Sequence, residues 1–171
     1  MRKPRTRKAF TLVEIILYVG LVSMLLVVVA GFLTSVLQSR ERSETVSEVD
    51  SQGVKVMQDI IQTVRNAQAI NSPTQGNSAA TLSLDVVDGG ADPTVYDLSG
   101  GALTITEGGG AVVDLTSGRV TASGLVFENL TRPGTDGIVR IEFTLTHVNP
   151  EGRFEYDYAQ IFYGSANLKQ N

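Results

Sequence analysis

The chain has 171 residues, no cysteine, one histidine and a formal net charge of −4. The lack of cysteine excludes a disulfide-stabilised fold and a thiol nucleophile. The acidic balance argues against broad binding to nucleic acid, which needs clustered lysine and arginine, and leaves open only a local basic patch.

One long apolar segment dominates the N-terminal part of the chain. No charged residue follows Glu14 until Arg40, so residues 15–39 are uncharged. A helix of this length can span a hydrocarbon core about 30 Å thick. All five charges in residues 1–9 are positive, which leaves a net charge of −9 for residues 10–171. The positive-inside rule therefore predicts a single-pass inner-membrane protein with its N-terminus in the cytoplasm and residues 40–171 outside.

The start of the apolar segment carries the most specific motif. Residues 8–14 read KAFTLVE and closely resemble the processing site of type IV pilins and type II secretion pseudopilins. In that family a prepilin peptidase in the membrane cuts before the phenylalanine and methylates the new amino terminus. The resemblance implies cleavage between Ala9 and Phe10, N-methylation of Phe10 and loss of residues 1–9 as a basic leader. The family usually has glycine at the position of Ala9.

The resemblance also implies a role for Glu14, the hallmark acid of the family. Its carboxylate would pair with the free amino group of Phe10 on a neighbouring subunit during filament assembly. A carboxylate and an ammonium attract strongly in a low dielectric, whereas either charge alone is penalised there. In a helical, head-to-tail assembly such a contact repeats without closing.

These features predict a structural subunit of a type IV pilus-like filament, with the head pattern favouring a minor pilin or pseudopilin. Its partners would be the prepilin peptidase, other pilin or pseudopilin subunits and, before assembly, membrane lipid. The filament would lie at the cell surface or in the periplasm. The alternative is an uncleaved, membrane-anchored binding or adhesion domain. No enzymatic activity and no cofactor are expected.

Apolar residues return after the charged stretch at residues 40–44 with helical spacing. They are Val46, Val49, Val56, Met57, Ile60, Ile61, Val64 and Ala67. Steps of three and four mark one face of an amphipathic helix. We therefore predict one helix from about Thr11 to Ala69, ended by the residues before Pro73, with Gly53 as a weak point in its second half.

Alternating apolar and polar residues after Pro73 predict an antiparallel sheet that covers the helix. Glycine-rich or proline-containing turns separate its strands, for example at Ser99–Gly101 and Gly108–Gly110. The predicted strands are 80–86, 94–98, 102–106, 111–115, 125–130, 138–148 and 153–163, with the last eight residues frayed. The predicted fold is α+β and pilin-like, with a leader (1–9), a transmembrane and assembly helix (10–39) and a head domain (40–171).

Few residues of the head suggest chemistry. His147 is the only histidine and is interpreted as a strand residue near a sheet edge, because no nucleophile motif accompanies it. No histidine or cysteine cluster suits zinc, so no metal site is predicted. The acids Asp85, Asp88, Asp92 and Asp97 leave calcium open, although they do not match the calcium-loop spacing and are interpreted as turn residues.

The last predicted strand is rich in aromatic side chains. They are Phe154, Tyr156, Tyr158, Phe162 and Tyr163. Their alternation favours packing in the core for most of them. A sugar-binding or partner-binding surface is the alternative.

Overall fold

The computed structural model describes residues 10–169. One helix, α1, spans Leu12–Asn66, and nine strands follow it. The strands are β1 (Ala67–Ser72), β2 (Ser78–Ala79), β3 (Leu82–Val86), β4 (Thr94–Ser99), β5 (Ala102–Glu107), β6 (Val113–Asp114), β7 (Val120–Asn129), β8 (Ile138–His147) and β9 (Ala159–Asn167). A 3-10 turn covers Phe154–Tyr156. The fold is α+β, as predicted, and the chain divides into two compact units after Arg40.

The first unit consists of the apolar part of α1. By length and composition it could cross a membrane, and no residue of its most apolar window is buried. A core helix of a soluble protein would instead bury one face of that window. Polar side chains in this unit bond to their own helix, since Ser23 donates to the carbonyl of Val19 at 2.7 Å and Thr34 to that of Gly31 at 2.8 Å. Such bonds remove the need for water around these hydroxyl groups.

The second unit combines the rest of α1 with two antiparallel sheets. One sheet has the strand order β1-β3-β4-β5-β6 and the other β2-β7-β8-β9. The tight β4–β5 hairpin shows how the sequence determines local structure. Ser99 pairs with Ala102 across the two-residue turn Gly100–Gly101. Both glycines have positive φ, 59° and 82°, which this hairpin geometry requires and other residues resist.

The predicted apolar stripe on α1 forms the helical side of the core. Val49, Val56, Ile60 and Val64 are essentially inaccessible to solvent, and Met57 is buried with them. The inward face of β8 lies in the same core. Val139, Ile141, Phe143 and Leu145 are all buried, as their alternation predicted. Periodicity therefore identified most of the core on both α1 and β8.

Two glycines allow α1 to approach β9 closely. The Phe162 ring occupies the space where a β-carbon of Gly53 would lie, and the Met57 side chain occupies that space at Gly164. Phe162 also stacks on Phe143, with ring centroids 5.3 Å apart. Gly53 is thus a packing requirement, which the interpretation as a weak point in the helix did not include.

A buried tyrosine connects the other sheet to α1. Tyr96 on β4 is 1% exposed, and its hydroxyl lies 3.0 Å from Asp59 Oδ2 and 2.8 Å from Thr63 Oγ1. Burial raises the pKa of Tyr96, the hydrogen bond with Thr63 opposes this shift, and the charge of Asp59 adds to it. The phenol therefore stays neutral and satisfied inside the core.

The predicted end of the helix was wrong. α1 ends at Asn66, and residues 67–72 form β1 rather than another helical turn. β1 pairs with β3, which places Ala67 opposite Val86 and Ile70 opposite Leu84. Pairing with a strand distant in sequence outweighs the helical preference of Ala67–Ala69.

Several strand predictions also need correction, because the strands form two sheets rather than the one that was predicted. The predicted strand 80–86 shortens to Leu82–Val86, which pairs with β1 and β4, and a separate short strand, Ser78–Ala79, pairs with β7. The predicted strand at 111–115 shrinks to Val113–Asp114, and the one at 125–130 lengthens to Val120–Asn129. The last strand begins at Ala159, after the 3-10 turn, and continues to Asn167 through residues predicted to fray.

Gly53→Ala tests the packing of α1 on β9. We expect residues 41–171 to fold alone, because they form one compact unit. The added methyl group would collide with Phe162, so the free energy of unfolding should fall by about 1–3 kcal/mol. Helix propensity alone predicts the opposite, a gain of about 1 kcal/mol. Urea denaturation of the fragment decides between them.

The control is Ser51→Ala, at an exposed position of the same helix. It should leave stability within about 0.5 kcal/mol of the parent. Phe162→Leu should recover part of the loss caused by Gly53→Ala. Increased stability of Gly53→Ala would contradict the close contact between α1 and β9.

Candidate functional site

The predicted assembly residues lie at the start of α1. Thr11 caps the helix, because its Oγ1 accepts a hydrogen bond from the backbone N–H of Glu14 at 3.3 Å. This contact fixes the first turn and places Glu14 where the helix dipole favours a negative charge. Glu14 is half-buried, whereas the residues beside it are exposed. Ala9 and the bond between Ala9 and Phe10 lie outside the described residues.

Glu14 contacts an aromatic residue one turn further along the helix. The Tyr18 hydroxyl lies 3.5 Å from Oε1 of Glu14, at the outer limit of a hydrogen bond. The Tyr18 ring also meets the Phe10 ring edge-on, with centroids 6.4 Å apart. Phe10 is 68% exposed. Tyr18 therefore contacts both Glu14 and Phe10, which lies just before the helix, so the three side chains form one cluster.

The sequence carries a further signal at this point, which the predictions did not include. Residues 11–14, Thr-Leu-Val-Glu, match the S/T-x-x-E capping box that starts many helices. The Thr11 half of the box is present. Within residues 10–169, the Glu14 carboxylate bonds to Tyr18 and not to the backbone N–H of Thr11. A capping role thus explains Thr11 more fully than it explains Glu14.

The second unit holds an open cleft of about 910 Å³. It lies between α1 residues 41–51, the turn before β7 and the β8–β9 connection. Its charged lining is mixed, with Glu41, Glu44, Glu48 and Glu151 against Arg119 and Arg153. Arg153 donates to Glu41 at 2.7 Å and lies 4.9 Å above the Tyr156 ring. The charge of Glu41 raises the pKa of Arg153, which therefore stays charged.

His147 lies in this cleft as the last residue of β8. The strand β8 is between β7 and β9, so the prediction of a position near a sheet edge was wrong. The His147 ring stacks on Tyr156 with centroids 5.5 Å apart. Its Nδ1 is buried and has no hydrogen-bond partner among the described residues. No carboxylate therefore orients this ring in the manner of a catalytic triad.

Three of the four aspartates considered for calcium accept hydrogen bonds from backbone or hydroxyl groups. Asp88 accepts from the N–H of Gly90 at 2.9 Å, and Asp92 accepts from that of Val86 at 3.3 Å. Asp97 accepts from its neighbour Leu98 at 2.8 Å and from the Thr81 hydroxyl at 3.1 Å. Bonds of this kind are typical of turn residues. Within residues 10–169, no three acidic or histidine side chains are placed to hold a metal ion.

The aromatic residues of the β8–β9 region are less buried than predicted. Phe162 packs against the core and Tyr158 joins it, but Phe154 and Tyr163 are exposed. Tyr158 also places its hydroxyl 3.4 Å from Asp50 on α1, and burial raises the pKa of Tyr158. The prediction that most of these side chains form core was wrong, because Phe154–Tyr156 form a turn rather than an alternating strand.

No protein-family model, no curated protein and no solved structure matches this chain.

The Asp85–Asp97 region should not depend on calcium. Because the carboxylates of Asp88, Asp92 and Asp97 already accept hydrogen bonds, we expect the same melting temperature with a chelator and with excess calcium. A ligand that binds only the native state would raise stability by RT ln(1 + [L]/Kd). Thermal melting of residues 41–171 under both conditions is the measurement.

Proposed function

We propose that this chain is a structural subunit of a type IV pilus-like filament, processed by a prepilin peptidase and assembled through its N-terminal helix. The observation that carries the proposal is the KAFTLVE string at residues 8–14, followed at once by the uncharged residues 15–39. Each part alone is common, but a cleavage motif directly before a spanning helix is specific. The α+β architecture, with one long N-terminal helix before antiparallel sheets, agrees with a pilin-like fold.

The start of α1 supports the proposed cleavage position. Helical structure begins at Leu12, two residues after the predicted new terminus at Phe10. Phe10 and Thr11 precede the helix and are exposed. A peptidase that cuts before Phe10 would therefore leave the first turn and its Thr11 cap intact.

The surroundings of Glu14 support the proposed assembly contact. Apart from Glu14, residues 10–39 carry no charged side chain. An acid at such a position is costly in lipid, by roughly 2.5–3.5 kcal/mol for an aspartate at the helix centre. A contact with the Phe10 amino group of a neighbouring subunit removes part of this cost. Pairing would therefore favour docking of subunits in one register.

A second candidate is a membrane-anchored binding domain that keeps residues 1–9. Two observations favour it. The capping geometry at Thr11 gives this end of the helix a local structural purpose. The cleft lined by Glu41, Arg153 and Tyr156 is large enough for a small ligand. The size of the protein extracted from the membrane separates the two candidates, because only the filament subunit loses its leader.

Glu14→Val tests the assembly role. The variant has a more lipid-compatible helix, so membrane insertion should be preserved and cleavage should continue. Its incorporation into filaments should fall by about tenfold or more, because the pairing charge is gone. Incorporation is measured by shearing filaments from cells and immunoblotting the sheared and membrane fractions.

Ile15→Val provides the control, since it changes an adjacent exposed apolar residue without altering charge. It should be incorporated normally. Normal incorporation of Glu14→Val as well would remove the pairing role, whereas absence of the wild-type chain from the sheared filaments would contradict the filament proposal itself.

A further inference from the structure

Three side chains at four-residue intervals form a cluster at the start of α1. Tyr18 contacts both Glu14, one turn earlier in the helix, and Phe10, which lies just before the helix. Side chains on a helix lean toward its N-terminus, so Tyr18 lies over the turn that holds Glu14. This lean brings the phenol hydroxyl to the carboxylate and the ring edge to Phe10. The four-residue spacing in the sequence therefore leads to the contacts of Tyr18 with Glu14 and Phe10.

Tyr18 differs from Ser23 and Thr34, two other hydroxyl residues of the uncharged segment, in the group that accepts its hydrogen bond. Ser23 and Thr34 donate to carbonyls of their own helix. The phenol hydroxyl is too far from the backbone to do this. Its acceptor is Glu14. A tyrosine near a membrane surface often directs its hydroxyl to the interface. Here the hydroxyl lies beside Glu14, the only carboxylate of residues 10–39.

Before a neighbouring subunit arrives, the Glu14 carboxylate needs a hydrogen-bond donor from its own chain. Among residues 10–169, the Tyr18 hydroxyl is the side-chain donor that reaches Glu14. An ionised carboxylate has about four lone-pair sites. It can therefore keep the bond to Tyr18 while it accepts a second bond from an ammonium group. The hydroxyl need not be displaced when pairing occurs.

We propose that Tyr18 is a positioning residue, whose hydroxyl holds the Glu14 carboxylate on the Phe10 side of the helix, ready for the amino group of an incoming subunit. This inference rests on the proposed function. Tyr18 acts through Glu14, so its hydroxyl contributes to assembly only while that carboxylate is present. The contact limits the rotamers of Glu14 in the unassembled subunit and reduces the ordering needed at docking.

A double-mutant cycle on the full-length protein in its host membrane tests this role. Tyr18→Phe keeps the ring and its contact with Phe10 but removes the hydroxyl. We expect incorporation into filaments, normalised to the processed membrane pool, to fall about fivefold, the effect of one ordinary hydrogen bond. In a Glu14→Val background the same change should have no further effect. Ser23→Ala, which removes a hydroxyl bonded to the backbone of the same helix, should be incorporated normally.

The outcomes separate this inference from the proposed function. A defect in Glu14→Val with normal incorporation of Tyr18→Phe would overturn the role of Tyr18 and leave the filament proposal standing. Equal effects of Tyr18→Phe with and without Glu14 would also overturn it, since Tyr18 would then act independently of the carboxylate. Normal incorporation of Glu14→Val would overturn both the pairing role of Glu14 and the role of Tyr18, whereas absence of the wild-type chain from the sheared filaments would contradict the proposed function itself.

Discussion

The carboxylate of Glu14 limits the environments in which the first part of this chain is stable. It stands at the start of a helix that is uncharged from residue 15 to residue 39. In lipid, a carboxylate without a partner is costly, whereas beside an ammonium group it is attracted strongly. Under the proposed function, the helix would pass from an anchored state, in which Glu14 is incompletely satisfied, to a paired state, in which the charge of Glu14 is neutralised.

A different constraint governs the second unit, where α1 packs on two sheets. Gly53 and Gly164 let the helix and β9 approach closely, and Phe162 and Met57 fill the space that their missing side chains leave. On the other sheet Tyr96 reaches Asp59 and Thr63 of α1. One helix thus holds both sheets, through close packing at β9, which tolerates little added volume, and through hydrogen bonds at β4. All of these contacts lie within the second unit.

Sequence reasoning recovered the features that depend on local pattern. The helix start, the apolar stripe, the β8 alternation and the Gly100–Gly101 turn follow from periodicity and turn chemistry, and the structure contains them all. The sequence predictions failed where pairing with a strand distant in the sequence determines the structure. Ala67–Ser72 is a strand because β3 pairs with it, and the division into two sheets depends on β2 pairing with β7.

The relative placement of the predicted assembly residues also follows from local pattern. Phe10 and Glu14, at a spacing of four, lie on the same side of the chain, because Tyr18 contacts both. Tyr18 continues that spacing, and the T-x-x-E capping signal was also present in the sequence. The cleft around His147 could not be predicted, because it joins α1 to residues more than sixty positions away. The pairing of Glu14 with another subunit stays a prediction.

Intact-mass spectrometry of the protein extracted from its own membrane tests the central claim most directly. The account predicts a chain that starts at Phe10 with a methylated amino group. The Ala9→Gly variant, which restores the usual residue of the family at this site, should give the same product. A wild-type chain that still begins at Met1 or Arg2, with the Ala9→Gly variant equally uncleaved, would contradict it. Such a result would make the protein an anchored domain whose Glu14 has no free Phe10 amino group to meet.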